Sequence, residues 1–453
     1  MNKKNRISFS SLSIEEKKPA RNESHSGGDN KIENKIPTRH STHGALGGEY
    51  KTSDRKRQTK SSSYQYSQKR FGGQGRQNRP YPAHNQDKKM TEGKIPGPEA
   101  GVIRIIPLGG VEEIGKNMTA IEIGEDIIVI DAGMHFSNEE TPGVDYVIPN
   151  TTYLEERKNK IRALFITHGH LDHIGGVPLV LSRIGNPPVY SRNLSILMMR
   201  KRQAEFPHLE PLKENIVEKD SVVKCGNMKI RFFGVTHTIP DSMGIVIETP
   251  NGWIVTPGDY KLDQVDGIVS DQEEKEYSIF DKAKVLLLLT DSTNVENEGF
   301  ALPEIKVHQG LENLIKKING RIIIAAFASH ISRLIKVIQI AEMLGKKIIL
   351  NGRSMKTNME VAFEAGLFTP KKGTIIDMKE IDNYPPNKII VLTTGGQGEE
   401  FSGLNRAANK TDKKFSIKKN DTIILSASIV PGNERQVQKM KDGLSRQGVK
   451  IIS

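Results

Sequence analysis

Residues 165–176 read Phe-Ile-Thr-His-Gly-His-Leu-Asp-His-Ile-Gly-Gly and place three histidines and one aspartate within six positions. An apolar, β-rich run precedes the segment and a helical pattern follows it, so the cluster falls on a strand-to-helix turn. Neutral imidazole and carboxylate groups suit zinc, and such a cluster can hold two ions and activate water near neutral pH. The segment predicts His168, His170, Asp172 and His173 as metal ligands. An exposed histidine-rich turn is the alternative.

Polar residues at the ends of later predicted strands complete the set. His237 follows a β-rich run over residues 228–236, and Asp259 follows a shorter run over residues 253–256. Because a binuclear site draws ligands from several strand ends, we predict both as ligands, with Asp259 bridging two metals. Asp131 ends another buried-strand pattern. Two roles remain open for Asp131: it could orient a ligand histidine through a hydrogen bond, or it could cap the next turn.

At this point the chain resembles the metallo-β-lactamase superfamily and, within it, the ribonuclease J family of β-CASP nucleases. The resemblance extends from about Val102 to the last residue. Besides the histidine cluster it rests on motifs in the family's order and spacing: Leu-Gly-Gly-Val-Glu-Glu-Ile-Gly-Lys-Asn at 108–117, Asp-Ala-Gly at 131–133, Gly-Asp-Tyr-Lys at 258–261, Thr-Asp-Ser-Thr-Asn at 290–294, Phe-Ala-Ser at 327–329 with Arg333, Asn-Gly-Arg-Ser-Met at 351–355, Gly-Gly-Gln-Gly-Glu at 395–399 and Val-Pro-Gly-Asn-Glu at 430–434. These motifs are more specific than the metal cluster, which hydrolases of many substrates share.

The resemblance and the strand pattern predict an α/β protein. The expected architecture is a metallo-β-lactamase αββα sandwich with an inserted β-CASP α/β domain, preceded by a disordered basic tail. The predicted boundaries are residues 1–95 for the tail, 96–303 for the N-terminal part of the metallo-β-lactamase domain and 304–453 for the β-CASP domain. Short β-rich runs fill the first domain, whereas regular strand–helix alternation predicts a parallel sheet in the second.

The resemblance also implies an activity. Ribonuclease J enzymes act on RNA as 5′-to-3′ exonucleases that prefer 5′-monophosphate ends and as endonucleases, in mRNA decay and rRNA maturation. Two zinc ions per subunit are implied at the six ligands named above. Asp172 would also hold the attacking water, and Asp291 would donate a proton, with a structural role as the alternative for Asp291. A structural calcium ion at Gly143 and Asp145 is a further candidate.

A second set of residues is implied in binding RNA or phosphate. Glycine loops and helix N-termini present backbone N–H groups to phosphate. The set comprises Ser329, His330, Ser332, Arg333, Arg353, Gly396, Gln397 and Gly398. Two of them keep an alternative: His330 could cap a helix, and Arg353 could be an ordinary exposed arginine.

The charge of the chain is unevenly distributed. Residues 1–95 hold 21 Lys and Arg against 9 Asp and Glu, so the whole net charge of +12 lies in this tail. The tail has too few apolar residues to offset the entropy of ordering, and we predict disorder there. Its interleaved basic and aromatic residues favour contact with RNA, and a passive linker is the alternative.

Other features indicate a cytoplasmic enzyme without a membrane span. Cys225 is the single cysteine, which excludes an internal disulfide, and no apolar run is long enough for a membrane span or a signal peptide. The partners implied are RNA, other RNA-decay proteins and further copies of the chain, as a homodimer or homotetramer when full length.

The C-terminus departs from the family pattern. The family carries a further histidine ligand and a small C-terminal domain after the Pro-Gly-Asn-Glu motif, whereas no histidine follows His330 here. We therefore expect a truncated form with an uncovered sheet edge. The alternative functions are an inactive RNA-binding fragment, a DNA-directed β-CASP nuclease and another metallo-β-lactamase hydrolase.

Overall fold

Three large sheets organise the described part of the chain, and the functional segments lie at the ends of their strands. The computed structural model describes residues 95–136, 143–265, 268–430 and 432–453. Within these residues, the part from Pro96 to Ser453 belongs to one compact unit. The predicted tail, residues 1–95, lies outside the described residues apart from Ile95.

The first part of the described chain contains two of the large sheets. Its strands are β1 (Ile103–Gly109), β2 (Met118–Ile123), β3 (Asp126–Ile130), β4 (His135–Phe136), β5 (Tyr146–Val147), β6 (Ile161–Phe165), β7 (Val189–Ser191), β8 (Glu214–Ile216), β9 (Val222–Cys225), β10 (Met228–Gly234), β11 (Met243–Thr249), β12 (Gly252–Thr256), β13 (Gln264–Val265), β14 (Ile268–Val269) and β15 (Val285–Leu288). Its helices are α1 (Thr152–Glu155), α2 (Leu171–Ile174), α3 (Val177–Ile184), α4 (Asn193–Gln203) and α5 (Asp271–Tyr277), with 3-10 turns at Lys158–Lys160 and Ser278–Phe280. The strand orders are β1-β2-β3-β6-β7-β8 and β15-β12-β11-β10-β9, and two small pairs, β4-β5 and β13-β14, accompany them.

The inner faces of these two sheets form one apolar core. Ile121, Ile128 and Phe165 of the first sheet pack with Phe232 and Ile254 of the second, and burial of each such side chain stabilises the fold by about 1.5–3 kcal/mol. Helices α1, α3 and α4 cover the other face of the first sheet, and α5 with its following turn packs on the second. The layers therefore run helix, sheet, sheet, helix, which confirms the predicted αββα sandwich.

The second part contains a single parallel sheet between helices. Its strands are β16 (Ile322–Ala325), β17 (Lys347–Asn351), β18 (Ile375–Ile376), β19 (Ile389–Thr393), β20 (Thr422–Leu425) and β21 (Lys450–Ile452). Its helices are α6 (Glu304–Lys317), α7 (Ile331–Met343), α8 (Arg353–Glu364), α9 (Gly403–Ala408) and α10 (Glu434–Ser445), with 3-10 turns at Met378–Asn383 and Pro386–Lys388. The order is β18-β17-β19-β16-β20-β21 with every pairing parallel, as the strand–helix alternation predicted. Isoleucine, valine and leucine dominate these strands because helices cover both faces.

The two parts meet through a small apolar cluster. Leu194 and Leu197 of α4 pack with Ile331 of α7 and Val361 of α8, and Ile239 joins them from the loop after β10. This contact brings the start of α7 toward the ends of β10 and β12.

Strand β15 forms an exposed edge of the second sheet. All four residues of β15 are exposed. An open groove of about 310 Å³ lies beside them, lined among others by Phe233, Tyr277 and Leu288. Within the described residues, β15 is therefore an exposed apolar strand at the end of the second sheet. No helix among the described residues combines the length and apolarity needed to cross a bilayer.

Candidate metal centre

The histidine-rich turn lies at the carboxyl end of β6, where two neighbouring loops hold it. The Asn117 amide donates a hydrogen bond to the carbonyl of Asp172 over 2.9 Å, and the Ala132 amide donates to the carbonyl of His173 over 2.9 Å. His168 and His173 are almost completely buried. The turn is anchored and enclosed, which excludes the exposed histidine-rich turn considered above.

Three imidazole rings converge on one point. The Nε2 atom of His168 lies 3.0 Å from Nδ1 of His170, and the Nε2 atom of His237 lies 3.1 Å from the same Nδ1 atom. The carboxylate of Asp259 completes the group, because its oxygen and the ring nitrogens lie within 4.8 Å of one another. The ends of β10 and β12 thus meet the turn after β6.

A second group adjoins the first. The Nε2 atom of His173 lies 3.3 Å from Oδ1 of Asp259 and 3.6 Å from Oδ2 of Asp172. These three side chains also offer ligand atoms within 4.8 Å of one another. Asp259 is common to both groups, which is the position that a bridging ligand requires. All six side chains predicted as ligands therefore come together.

Asp131 is the centre of a hydrogen-bond network that reaches a histidine of each group. Its carboxylate accepts hydrogen bonds from Nδ1 of His173 over 2.8 Å and from the amide and hydroxyl of Thr167 over 2.8 and 2.9 Å. The Thr167 hydroxyl also lies 3.0 Å from Nδ1 of His168. Because Nδ1 of each ring is engaged in a hydrogen bond, the neutral forms of His168 and His173 would direct their Nε2 lone pairs into the two groups. Of the two roles open for Asp131, these contacts fit the orienting one.

Two glycines allow the supporting loops to approach the turn closely. A Cβ atom at Gly133 would lie 1.6 Å from the carbonyl oxygen of Asp172. Gly258 has a φ of +66°, and a Cβ atom there would lie 2.8 Å from that of Thr167. Each loop carries a carboxylate close to its glycine, so a larger residue would displace that carboxylate.

The three histidines of the first group are uncharged near pH 7, beside the ionised carboxylate of Asp259. Burial, and then the neighbouring histidines, lower the pKa values of His168 and His170 well below that of ordinary imidazole. Burial also lowers the pKa of His237 to about 4. Neutral imidazole is the form that binds metals, so three nitrogen lone pairs that point at one another fit a shared cation.

The second group favours positive charge. Burial opposes protonation of His173, but Asp131 and Asp172 outweigh it and raise its pKa well above the ordinary value. Burial would raise the pKa of Asp259, but the hydrogen bond and charge of His173 outweigh it and lower that pKa to about 2. Carboxylates that stabilise a positive charge here also suit a divalent cation, so the donors present fit a metal at each group.

A charged network links the ligand loop to the second sheet domain. Glu304 accepts hydrogen bonds from Nε and Nη2 of Arg333 over 2.7 and 2.9 Å and from the ammonium group of Lys261 over 3.3 Å. The Nη1 atom of Arg333 donates to the carbonyl of Ser426 over 2.7 Å. Burial would raise the pKa of Glu304, but hydrogen bonds from His308 and Arg333 outweigh it and hold that pKa far below the usual range. Arg333, predicted to bind phosphate, therefore already has protein partners.

His330 faces the metal centre from the start of α7. It interacts electrostatically with His170 and His237, and burial lowers its pKa to about 4. Its Nδ1 atom is buried without a hydrogen-bond partner among the described residues, and its side chain makes no bond to cap α7. The contacts therefore do not support the capping alternative.

The other residues predicted to bind phosphate lie at the carboxyl edge of the parallel sheet. Strands β16, β17 and β19 are neighbours, so the loops that follow them share one edge, where open α/β sheets bind ligands. Ser329 precedes α7, Ser332 lies in its first turn, Arg353 is exposed at the start of α8, and Gly396, Gln397 and Gly398 follow β19. The buried Gln397 side chain donates to the carbonyl of Ser428 and accepts from the amide of Val430, both over 2.8 Å, so it braces this loop.

The predicted proton donor and the two calcium candidates also lie outside the two ligand groups. Asp291 follows β15, accepts a hydrogen bond from the amide of Thr293 over 2.7 Å and interacts electrostatically with His237. Gly143 and Asp145, the calcium candidates, are exposed. Among the described residues Asp145 joins no cluster of potential metal ligands, and residues 137–142 next to it lie outside that part of the chain.

Sequence reasoning missed the roles of Asn117 and Glu304. The Nδ2 atom of Asn117 lies 3.4 Å from Oδ2 of Asp172 and 3.1 Å from Nε2 of His173. Its only signal was its position at the end of a glycine-rich motif. Glu304 gave no signal, because a glutamate in the first turn of a helix is common for dipole reasons alone.

Comparisons with known proteins agree with this architecture. The family model for the metallo-beta-lactamase superfamily matches residues 112–290, and that for the ribonuclease J beta-CASP domain matches residues 319–444. The chain is 37% identical to Ribonuclease J of Mycoplasma genitalium over 350 residues, which cover 77% of this chain and 61% of that protein. It is 38% identical to Ribonuclease J of Thermus thermophilus, with 81% and 66% covered, and 35% identical to Ribonuclease J2 of Bacillus subtilis, with 77% and 63% covered.

The chain thus spans 61–66% of the length of these three relatives. A crystal structure of a protein of unknown function from Enterococcus faecalis also matches, with a TM-score of 0.56 and 14% identity over 77% of this chain and 86% of that one. At this identity the match shows the fold alone.

Proposed function

This chain belongs to the ribonuclease J family of the metallo-β-lactamase superfamily, and on that basis we propose that it is a metal-dependent ribonuclease that hydrolyses RNA phosphodiester bonds. The observation that carries the proposal is the pair of adjoining ligand groups that share Asp259. Phosphodiester hydrolysis needs neutralised charge on the phosphate and an activated water, and paired metal sites serve this chemistry.

The cofactor we propose is two zinc ions. The first would be held by His168, His170, His237 and Asp259, and the second by Asp172, His173 and Asp259, a donor set of imidazole and carboxylate that suits zinc. When bound, such ions polarise the phosphate and make water a nucleophile near pH 7. A structural calcium ion near Gly143 and Asp145 stays a prediction.

The side chains have separate tasks in the proposed reaction. Asp172 would hold and orient the attacking water beside the second metal. Asp291, on the side of His237, donates a proton to the leaving oxygen. His330 would contact the phosphate, which is supported by its buried Nδ1 atom having no partner among the described residues.

The finer activity follows from family membership. We propose 5′-to-3′ exonuclease action on 5′-monophosphate ends together with endonuclease action, in mRNA decay and rRNA maturation in the cytoplasm. The 5′ phosphate would bind at the carboxyl edge of the parallel sheet, at Ser329, His330, Ser332, Arg333, Arg353, Gly396, Gln397 and Gly398. A homodimer or homotetramer and contacts with other RNA-decay proteins complete the proposal.

The proposal is tested with His170→Ala and Asp172→Ala. Each variant should lose at least about 100-fold in cleavage of a 3′-labelled, 5′-monophosphorylated RNA, because each removes a metal ligand, while RNA binding changes little. Matched controls are His208→Ala and Asp220→Ala, which alter exposed residues of the same types. Cleavage by His170→Ala or Asp172→Ala within a few-fold of the unmodified chain would contradict the metal mechanism. Equal cleavage of single-stranded DNA of the same sequence would contradict RNA as the preferred substrate.

A further inference from the structure

Helix α10 carries a basic stripe on its exposed face. Arg435, Lys439, Asp442 and Arg446 are spaced by four, three and four positions, so they lie within one narrow arc of the helix. Val437, Met440 and Leu444 occupy the opposite face and pack into the core of the parallel sheet domain. From Arg435 to Arg446 the stripe extends about 16 Å along the helix axis.

The stripe borders an open groove of about 480 Å³. Its lining is Asn409, Arg435, Gln438, Lys439, Asp442, Gly443 and Arg446, which includes no apolar side chain. A groove whose side chains all end in charged or amide groups does not suit a small apolar ligand. Asp442 is the one carboxylate of the lining, and it accepts a hydrogen bond from Gln438 over 2.8 Å. Arg435, Lys439 and Arg446 form no ion pair within the described residues, so their charges are available.

Neighbouring segments add positive charge on the same side. The side-chain amide of Gln447 donates to the carbonyls of Ala407 and Ala408, and a Cβ atom at Gly448 would lie 3.5 Å from Lys419. The exposed, lysine-rich loop of residues 409–420 therefore lies beside the end of α10. Residues 404–453 hold 11 Lys and Arg against 4 Asp and Glu, a net charge of +7, whereas residues 96–403 hold 34 against 41, a net charge of −7.

The stripe begins next to the glycine loop that follows β19. A Cβ atom at Gly398 would lie 2.6 Å from the backbone of Gln436, in the first turn of α10. Gln397 also bonds to the Val430 amide in the segment just before α10. A phosphate held at this glycine loop would therefore have the basic stripe of α10 leading away from it.

From these contacts we infer that the α10 groove is an accessory site for the backbone of single-stranded RNA, contacted by Arg435, Lys439 and Arg446. The inference rests on the proposed ribonuclease function, because it extends the path of the RNA beyond the phosphate loop. Arginine and lysine neutralise phosphates irrespective of base, and no aromatic side chain lines the groove, so the contact is independent of sequence.

The test uses a triple variant, Arg435→Ala, Lys439→Ala and Arg446→Ala. Binding of the complete chain to a fluorescent RNA of about 30 nucleotides is measured by anisotropy between 50 and 200 mM salt. Phosphorothioate linkages slow cleavage during the measurement. Since each contact to a single strand contributes about 0.7 to the salt slope, loss of three should flatten the slope by about 2 and weaken binding roughly 30- to 100-fold near 0.1 M salt.

The matched control removes three lysines from the other edge of the same sheet, with Lys371→Ala, Lys372→Ala and Lys379→Ala. These residues flank β18, whereas α10 packs beside β21 at the opposite edge. A second variant, Asp442→Asn, removes the carboxylate of the groove and should strengthen binding several-fold.

Four outcomes would overturn the inference: an unchanged slope in the triple variant, an equal loss in the control, weaker binding by Asp442→Asn, or competition by polyglutamate as effective as that by RNA of equal charge. Cleavage is measured separately on unmodified RNA. If the triple variant keeps the salt slope and the unmodified chain cleaves RNA, only the accessory site is rejected. If the triple variant has a flattened slope but the unmodified chain does not cleave RNA, only the proposed catalytic function is rejected.

Discussion

Replacement of Asp131 by asparagine separates the orienting role of this carboxylate from its place in the fold. Asp131 has a φ of +59°, a left-handed conformation that asparagine tolerates well and alanine does not. The substitution Asp131→Asn would therefore keep the backbone and the volume of the side chain. The new amide still has one oxygen to accept a hydrogen bond from Thr167, but it presents an N–H donor where His173 also needs an acceptor.

The expected loss follows from the bond to His173. A hydrogen bond to a charged group contributes about 1.5–3 kcal/mol, and here the bond of 2.8 Å fixes which nitrogen of the ring carries the proton. If the proton moves to Nε2, the ring no longer offers a lone pair beside Asp172 and Asp259. At about 1.4 kcal/mol per factor of ten, zinc affinity of the second group should fall about 10- to 100-fold, in the range typical of lost outer hydrogen bonds.

The assay is competition for zinc between metal-stripped protein and a chromophoric chelator, combined with thermal unfolding of the metal-free form. The control is Asp126→Asn, at the other end of β3, where the carboxylate binds the side chain of Arg162 and the amide of Asn227 instead of a ligand histidine. Asp126→Asn should lower the melting temperature without weakening zinc. Zinc affinity of Asp131→Asn within about threefold of the unmodified chain would refute the orienting role, since loss of such a bond should exceed that factor.

Two further predictions concern charge. Glu304→Gln should lower the melting temperature at pH 7, because the bidentate pair with Arg333 is lost. The pKa of Glu304 is depressed in the fold, so its contribution to stability is complete above its ordinary pKa of 4.5 and declines below it. The difference in melting temperature should therefore shrink between pH 6 and pH 3, and a pH-independent difference would count against the ion pair. Deletion of residues 1–95 removes a net charge of +12 and should flatten the salt dependence of RNA binding. The cleavage rate at saturating RNA should stay within about twofold. Identical salt slopes of the two forms would identify the tail as a passive linker.

The sequence by itself predicted the fold class and the set of potential metal donors that the structure brings together. Alternating strands and helices predicted the parallel sheet, because the period of apolar residues is a local property of the chain. The cluster at residues 168–173 predicted metal ligands because four donors of suitable chemistry lie within one turn. Even His237 and Asp259, distant in sequence, could be inferred, since each follows a strand and the ends of strands converge in such folds.

The tertiary structure decided which partners each polar side chain has. The structure pairs Arg333 with Glu304, a residue 29 positions earlier, while its predicted contact with phosphate stays a prediction. Asn117 touches both Asp172 and His173 although 55 and 56 positions separate them. Likewise, the lysine-rich loop of residues 409–420 folds back beside the end of α10. Such pairings depend on how the sheets and helices pack, and no local sequence pattern encodes them. The helix or strand propensity of an arginine or asparagine is the same whether its partner is a carboxylate, a phosphate or water.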